Sequence, residues 1–201
     1  MTIKKALGLL KKVRLPEHIM EHIKKVAYVA EIICDEYKKN HIKLNKNLVV
    51  CAALLHDLMR VIDIRGAAFD SMCKKAKKND TAVWENLKKK YGEIDHSVAA
   101  YMYLSSIGEN KVALCVKKHK FDAVCDKELL PITIEEKITT YADKRVLHSK
   151  LVSLKKRFAD GEKRYNPNRE NLEKQKLIHE KYFKMEKEIF SKIKIKPGDI
   201  K

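Results

Sequence analysis

The adjacent residues His56 and Asp57 follow a run of seven apolar residues, Val49–Leu55. A carboxylate directly after so apolar a stretch is costly to remove from water, so we expect it to be paired or bound to a cation. The neighbouring imidazole is a good ligand for a transition metal, and adjacent side chains at a helix end can converge on one ion. The pair therefore predicts part of a metal site.

Further candidate ligands lie in separate predicted helices. His22 lies on the apolar stripe of its helix, and Asp143 borders the inward face of another. His96 and His119 each lie in a helical context close to small or apolar residues. With the pair above, these residues supply four imidazoles and two carboxylates, enough for one or two divalent ions. Because no thiolate takes part, the set suits Mn, Fe, Co, Zn or Mg better than a structural zinc site.

The other histidines carry weaker signals. His18 lies four residues before His22 and could chelate an ion with it, but its place in the frayed first turn of the helix, after Pro16, favours no part in metal binding. Three histidines in polar contexts carry no signal: His41, His148 and His179.

Basic side chains near these ligands predict where an anionic substrate would bind. Arg60 comes one turn after His56. The predicted substrate-binding residues are Arg60, Lys120, Lys144 and Arg145. The expected partner is a small phosphorylated molecule, because divalent ions would also neutralise its phosphoryl oxygens.

The chain has 201 residues and a formal net charge of +17, from 44 Lys and Arg against 27 Asp and Glu. Of the basic residues, 37 are Lys and 7 are Arg. Lysine suits solvated faces, whereas specific recognition of nucleic acid relies on the arginine fork. We therefore favour a generic basic surface, which concentrates anions near a cleft, over a nucleic-acid role.

Cysteine usage and hydropathy exclude other classes of protein. The five cysteines are widely spaced and never form CxxC, which excludes a zinc ribbon and predicts reduced thiols in a cytoplasmic protein. No apolar run approaches the roughly 20 residues that a membrane helix needs, so no membrane partner is expected.

Apolar residues at a spacing of three to four predict helices almost throughout, because few Gly or Pro residues interrupt them. Thr133 followed by Glu136 forms a capping box that opens one of these helices. The predicted helices cover about 3–13, 16–40, 47–62, 80–91 (capped by Asp80), 95–107, 109–119, 133–148 and 168–193, with another beginning at Ser153 and a less regular stretch up to Asn79.

These elements predict an all-α fold. We expect residues 1–165 to form one domain and residues 166–201 to form a helical extension after a break at Asn166-Pro167. An apolar stripe on the last helix predicts that the extension packs on the domain or on the second subunit of a homodimer.

The order His22, His56-Asp57, Asp143 resembles the H…HD…D signature of the HD superfamily of metal-dependent phosphohydrolases. Three segments carry the resemblance. HIKKVAYVAEII resembles the helix of the first ligand, AALLHDLMR resembles the AALLHDxxK signature, and YADKRVLHSKLVSLKKRF resembles the segment after the final Asp in a bacterial and archaeal subgroup. The resemblance covers about residues 15–165 and implies a compact HD-domain helical bundle.

His96 and His119 resemble the additional histidines of HD subgroups with two metals, such as the symmetrical dinucleoside-tetraphosphate hydrolases and the HD-GYP cyclic-dinucleotide phosphodiesterases. Three features depart from those patterns. No GYP follows the HD pair, Lys120 stands where HD-GYP proteins carry a second adjacent His, and Arg60 replaces the usual Lys of HDxxK. Cleavage of cyclic dinucleotides is therefore not carried over to this chain.

Together these features predict a divalent-metal-dependent phosphohydrolase, a phosphomonoesterase or phosphodiesterase, that cleaves a phosphate ester or phosphoanhydride of a nucleotide or related small molecule. Metal-bound hydroxide would attack phosphorus in line. Asp57 would bridge or orient that water, and Arg60 with Lys144 would stabilise the phosphoryl charge. The alternative is a basic helical module that binds RNA or a signalling nucleotide without turnover.

Overall fold

A computed structural model of the protein describes residues 1–165 and 171–201, and within these ranges the chain forms ten α-helices and one small hairpin. The helices are α1 (Ile3–Val13), α2 (Glu17–Lys39), α3 (Lys46–Leu55), α4 (Gly66–Lys74), α5 (Lys78–Tyr91), α6 (His96–Ser106), α7 (Asn110–Lys117), α8 (Ile134–Lys144), α9 (Leu154–Tyr165) and α10 (Leu172–Phe190). Two-residue strands β1 (Val146–Leu147) and β2 (Lys150–Leu151) pair antiparallel. Short 3₁₀ helices cover Arg60–Asp63, Ala123–Cys125 and Pro197–Asp199. The predicted all-α fold is confirmed.

The central helix α3 is buried along its whole apolar run, as its sequence predicted. Around it pack α1, α2, α7 and α8. Burial on every side explains why this helix lacks an amphipathic pattern, because no face of it needs polar residues. The arrangement brings three helices with candidate ligands against a single core element.

The prediction that α3 continues to Ile62 was wrong. The helix ends at Leu55. Backbone hydrogen bonds between residues three positions apart follow, from Leu58 N to the Leu55 carbonyl and from Arg60 N to the Asp57 carbonyl. Apolar residues continue beyond the end and stay buried, so hydrophobic pattern alone did not mark it. As a result Asp57 lies in a turn rather than in a regular helix.

The end of α8 also differs from its prediction. The capping box of Thr133 and Glu136 is confirmed, but the helix stops at Lys144 instead of continuing to His148. The chain then reverses in the hairpin of β1 and β2, where His148 has a φ of 56°. This turn places the backbone of His148 beside α2, which β1 and β2 contact.

The stretch up to Asn79 is more regular than predicted. It forms α4, in which no residue is fully buried, so the apolar face that would have revealed the helix is weak. The cap predicted at Asp80 was wrong, because Lys77 precedes the first residue of α5. Asp80 lies in the first turn instead, where its charge still favours the helix dipole.

The last helix, α10, covers Leu172–Phe190, shorter than the predicted 168–193. The break predicted at Asn166-Pro167 and the predicted start at 168 lie outside the described residues. A buried stripe on α10 faces α8, and the Tyr37 hydroxyl donates to the Ile189 carbonyl at 2.9 Å. No described helix combines the length and the apolar character needed to cross a membrane.

Candidate metal centre

The structure brings all six predicted ligands to one cavity of about 820 Å³ or directly beneath it. These six residues form two groups of three, and within each group the ligand atoms lie within 4.8 Å of one another. The first trio is His22, His56 and Asp143. The second trio is Asp57, His96 and His119.

In the first trio, ligand atoms from α2, α8 and the end of α3 meet. His22 Nε2 lies 3.3 Å from His56 Nε2 and 3.2 Å from Asp143 Oδ1. The distance from His56 Nε2 to Asp143 Oδ1 is 3.7 Å. Bonds of about 2.1 Å to one ion would place neighbouring ligand atoms about 3.0–3.4 Å apart. Two of the three distances in the first trio therefore match ligands around a single ion, and the third is slightly longer.

The second trio has a similar spacing, and its Asp57 also approaches the first trio. Asp57 Oδ1 lies 3.2 Å from His96 Nε2 and 3.9 Å from His119 Nε2, and these two nitrogens lie 3.2 Å apart. The other carboxylate oxygen, Oδ2, lies 3.6 Å from His56 Nε2 and 4.0 Å from His22 Nε2. Asp57 thus presents one oxygen to each trio, which is the geometry of a bridging carboxylate.

The ends of two helices orient two of the histidines. The last carbonyls of a helix lack a partner inside the helix. His56 Nδ1–H donates to the Ala53 carbonyl at the end of α3 at 2.7 Å, and His119 Nδ1–H donates to the Val116 carbonyl at the end of α7 at 2.6 Å. Each imidazole therefore gives a hydrogen-bond partner to a carbonyl at the end of the preceding helix, and its Nε2 points toward the cavity.

Long-range bonds orient the other two histidines. His22 Nδ1–H donates to the His148 carbonyl at 2.7 Å, and His96 Nδ1–H donates to Asp63 Oδ2 at 2.5 Å. A carbonyl or carboxylate acceptor fixes the tautomer, so all four Nε2 atoms can offer a lone pair. Lone pairs 3.2–3.3 Å apart repel each other unless a proton or a cation lies between them. These four nitrogen atoms, together with the carboxylates, are therefore suited to bind divalent ions.

Both carboxylates are held ionised. Burial alone would raise the pKa of Asp143, but Lys144, His22 and His56 together outweigh it and hold that pKa well below its usual range. Burial also opposes ionisation of Asp57, but His56 and His96 outweigh it and hold the Asp57 pKa well below its usual range. Ionised carboxylates are the form that binds a cation.

The histidines of the two trios have divergent pKa values. Burial lowers the pKa of His56, and it lowers that of His119 to about 3 with help from neighbouring imidazoles. Burial acts the same way on His96, but hydrogen bonds with Asp57 and Asp63 outweigh it and raise the His96 pKa to about 9. At Nε2 of His96, protons and metal ions compete for the same lone pair.

Three of the four predicted substrate-binding cations line the cavity. Arg60 donates to Asp63 Oδ2 at 3.1 Å, and Lys120 Nζ lies 3.5 Å from Asp95 Oδ2. Lys144 Nζ bonds Asp143 Oδ2 at 2.5 Å, so it supports a ligand as well as facing the cavity. These three cations surround the ligand groups with positive charge.

The structure does not bring Arg145 to the cavity lining. Its guanidinium is buried and donates to the carbonyls of Val152 and Pro197 and to the Tyr141 hydroxyl. Arg145 directly follows α8, where the chain turns into the hairpin, so its side chain joins the hairpin to the C-terminal segment. Its contacts are those of a structural residue.

Several residues that the sequence did not single out also reach the site. Arg157 and Arg164 of α9 line the cavity, and their spacing of seven residues places them on one helix face, a signal that the sequence offered. His18, for which metal binding was not favoured, lines the cavity as well. Asp63 and the carbonyl of His148 support ligands, and neither role has a signature in the sequence.

Histidine and aspartate ligands gathered by a helical bundle define a class of metal-binding helical proteins. Residues 19–146 match the family model of the HD domain, and the match covers more than half of the chain. The chain therefore belongs to the HD domain family, as predicted, and with it to a superfamily of metal-dependent phosphohydrolases.

A curated relative resembles almost the whole chain. Uncharacterized protein MJ0778 of Methanocaldococcus jannaschii is 26% identical over 191 residues, which cover 90% of this chain and 96% of that protein. No solved structure matches the chain significantly. The likeness covers more of the chain than the HD match does but names no substrate.

Proposed function

We propose that the protein is a divalent-metal-dependent phosphohydrolase that cleaves a phosphate ester or phosphoanhydride of a nucleotide or related small molecule. The observation that carries the proposal is the carboxylate of Asp57, which belongs to the second trio and directs its other oxygen toward the first. We also propose a cytoplasmic location, since all five cysteines are free.

Ions bound by the two trios would lower the pKa of a water molecule toward neutrality and neutralise phosphoryl oxygens. The chain supplies the rest. Asp57, fixed between the trios, orients the attacking water by accepting a hydrogen bond from it. Lys144 holds Asp143 in place through its bond to Oδ2. Arg60 at the edge of the second trio binds the phosphoryl group and stabilises the charge that develops on it.

The cavity favours an anionic substrate. Among the described residues, five cationic side chains line it, and the net charge of +17 raises the local concentration of anions at such a cleft. The five cations are Arg60, Lys120, Lys144, Arg157 and Arg164. A volume of about 820 Å³ accommodates a nucleotide-sized molecule, because ligand pockets span about 300–1,000 Å³.

The test compares hydrolysis of p-nitrophenyl phosphate and bis-p-nitrophenyl phosphate, with manganese added, by the wild type and by Asp57→Asn. We expect the wild type to cleave at least one ester. The variant should lose at least about 100-fold in rate, because a lost ligand costs more than the 10–100-fold typical of a residue that only supports a ligand. Asp70→Asn, which changes an exposed carboxylate on α4, is the matched control and should keep full activity.

The outcome also distinguishes the hydrolase from the alternative, a helical module that binds RNA without turnover. A wild type that holds metal, cleaves neither ester and binds RNA with an affinity that falls steeply with salt would contradict the hydrolase. Activity that survives Asp57→Asn would contradict the assignment of the site.

A further inference from the structure

A second cavity, of about 320 Å³, lies beside α9 and α10 and is called the ring cavity below. It shares Phe121, Lys144 and Arg157 with the cavity of the metal centre, so the two adjoin. The remaining lining residues come from α9 and α10: Phe158, Gly161, Glu162, Gln175 and His179. The ring cavity therefore opens beside the place where a bound phosphate would lie, but none of the six ligands lines it.

Aromatic rings form much of its wall. The rings of Phe158 and His179 stack, with centroids 4.3 Å apart and an angle of 4° between their planes. Phe121 meets Phe158 edge to face at 5.8 Å. Burial lowers the pKa of His179, so this imidazole is neutral at pH 7 and acts as a third aromatic surface. Such walls suit a flat ring, which can stack on them or meet their edges.

Two buried polar atoms beside these rings lack a partner. Within the described parts of the chain, Arg157 Nε and Gln175 Oε1 are buried without a hydrogen bond. Leaving a buried polar group unpaired is costly, and native proteins rarely do so without a reason. Arg157 Nε is a donor and Gln175 Oε1 is an acceptor, so a ligand that satisfies both must present an acceptor and a donor of its own.

We propose that the ring cavity binds the base of a nucleoside phosphate whose phosphate lies at the two trios. The inference rests on the proposed hydrolase and makes its substrate class specific. Every nucleobase combines a flat aromatic face with donors and acceptors on its edge, which matches the aromatic walls and the two unpaired atoms. The volume of about 320 Å³ lies at the lower end of the range for ligand pockets, as suits one part of a ligand rather than the whole.

The test measures kcat/KM for hydrolysis of ribose 5-phosphate and of the adenosine, guanosine, cytidine and uridine 5′-monophosphates. The sugar phosphate has the same phosphate and sugar but no base, so the ratio of the two values isolates the contribution of the ring cavity. We expect the wild type to prefer at least one nucleoside monophosphate by about tenfold or more, the size of a discrimination built on one or two hydrogen bonds.

Gln175→Leu removes the unpaired acceptor and keeps the bulk of the side chain. We expect the preference to fall about tenfold, toward the ribose 5-phosphate value, because the base then loses a partner. A purely structural role for Gln175 would change both substrates equally and leave the ratio intact. Leu177→Ala, which truncates an exposed residue of α10 outside the lining, is the matched control and should keep the wild-type ratio.

The failures are distinguishable. If ribose 5-phosphate is cleaved as well as all four nucleoside monophosphates, the base site is wrong and the hydrolase stands. An unchanged ratio in Gln175→Leu also overturns the base site. If the wild type cleaves none of the five compounds nor either nitrophenyl ester, the hydrolase is wrong, and the base site, which depends on it, is overturned as well.

Discussion

The two trios have a similar spacing of ligand atoms but are supported differently. In the first trio, both histidines donate to backbone carbonyls, those of His148 and Ala53. In the second trio, His96 donates to the side chain of Asp63, which also accepts a hydrogen bond from Arg60. One group is therefore held by the main chain, and the other partly by side chains.

This difference indicates which trio can change its affinity for an ion through substitutions outside the ligands. A backbone carbonyl stays in place whatever side chain its residue carries, so the support of the first trio resists substitution. A carboxylate that accepts a hydrogen bond from an imidazole makes this imidazole more basic and a stronger ligand. A single substitution, however, removes the carboxylate. We therefore expect the second trio to be the one whose affinity for an ion responds to single changes outside the ligands.

The shared ligand gives the largest expected effect. Asp57→Ala removes an oxygen from both trios at once, so bound manganese should fall from about two ions per chain to near zero after desalting. Activity should fall about 1,000-fold or more, since the variant loses a group that acts on both ions. Metal analysis and steady-state kinetics measure the two effects. Retention of both ions would show that Asp57 does not bridge the trios.

A matched pair of variants separates the trios. His22→Ala should remove only the ion of the first trio, and His119→Ala only that of the second, so each variant keeps about one ion per chain. Activity should fall about 100-fold or more in both, if both ions act on the phosphoryl group. Anomalous diffraction from crystals soaked in manganese shows which ion stays. Loss of both ions from either single variant would contradict two separable sites.

Asp63→Asn tests the side-chain support of the second trio. The variant keeps a similar side-chain shape but loses the negative charge of the carboxylate that accepts the hydrogen bond from His96. We expect the ion of the second trio to bind 10–100-fold more weakly, and the ion of the first trio to keep its affinity. Calorimetric titration with manganese resolves the two steps. Equal weakening of both would mean that the comparison between the trios fails.

The smallest effect is expected from His148→Asn. His22 donates to the backbone carbonyl of this residue, and Asn tolerates the φ of 56° found there. Both metal affinities should stay within about twofold of the wild type, because the acceptor itself is retained. The same titration measures this. A large loss would show that the imidazole of His148, rather than its carbonyl, supports the site.

Much of the fold could be predicted from the sequence, because burial of apolar residues at helical spacing is a local property. The starts of α2 and α8 show this, since Pro16 and the Thr133 capping box mark them directly. The ends of α3 and α8 could not be predicted, because apolar or neutral residues continue past them and tertiary contacts decide where the helix stops.

The six candidate ligands were predicted from residue type, position and the HD signature, and the structure brings them together. Their grouping was predictable only in part. The HD signature already sets His22 and Asp143 apart from the two additional histidines, but nothing in the sequence shows that Asp57 groups with those histidines. The same limit applies to Arg145, whose neighbour Lys144 lines the cavity while its own side chain does not.

The sequence by itself determined the contacts that span a few residues. His56 and His119 each donate to a carbonyl three positions earlier, at the end of the helix that precedes them, so their orientation follows from local chain geometry. The tertiary structure alone decided the orientation of His22 and His96, whose acceptors lie 126 and 33 residues away. A hydrogen bond needs its atoms within about 3 Å, and only the packed fold sets such distances between remote segments.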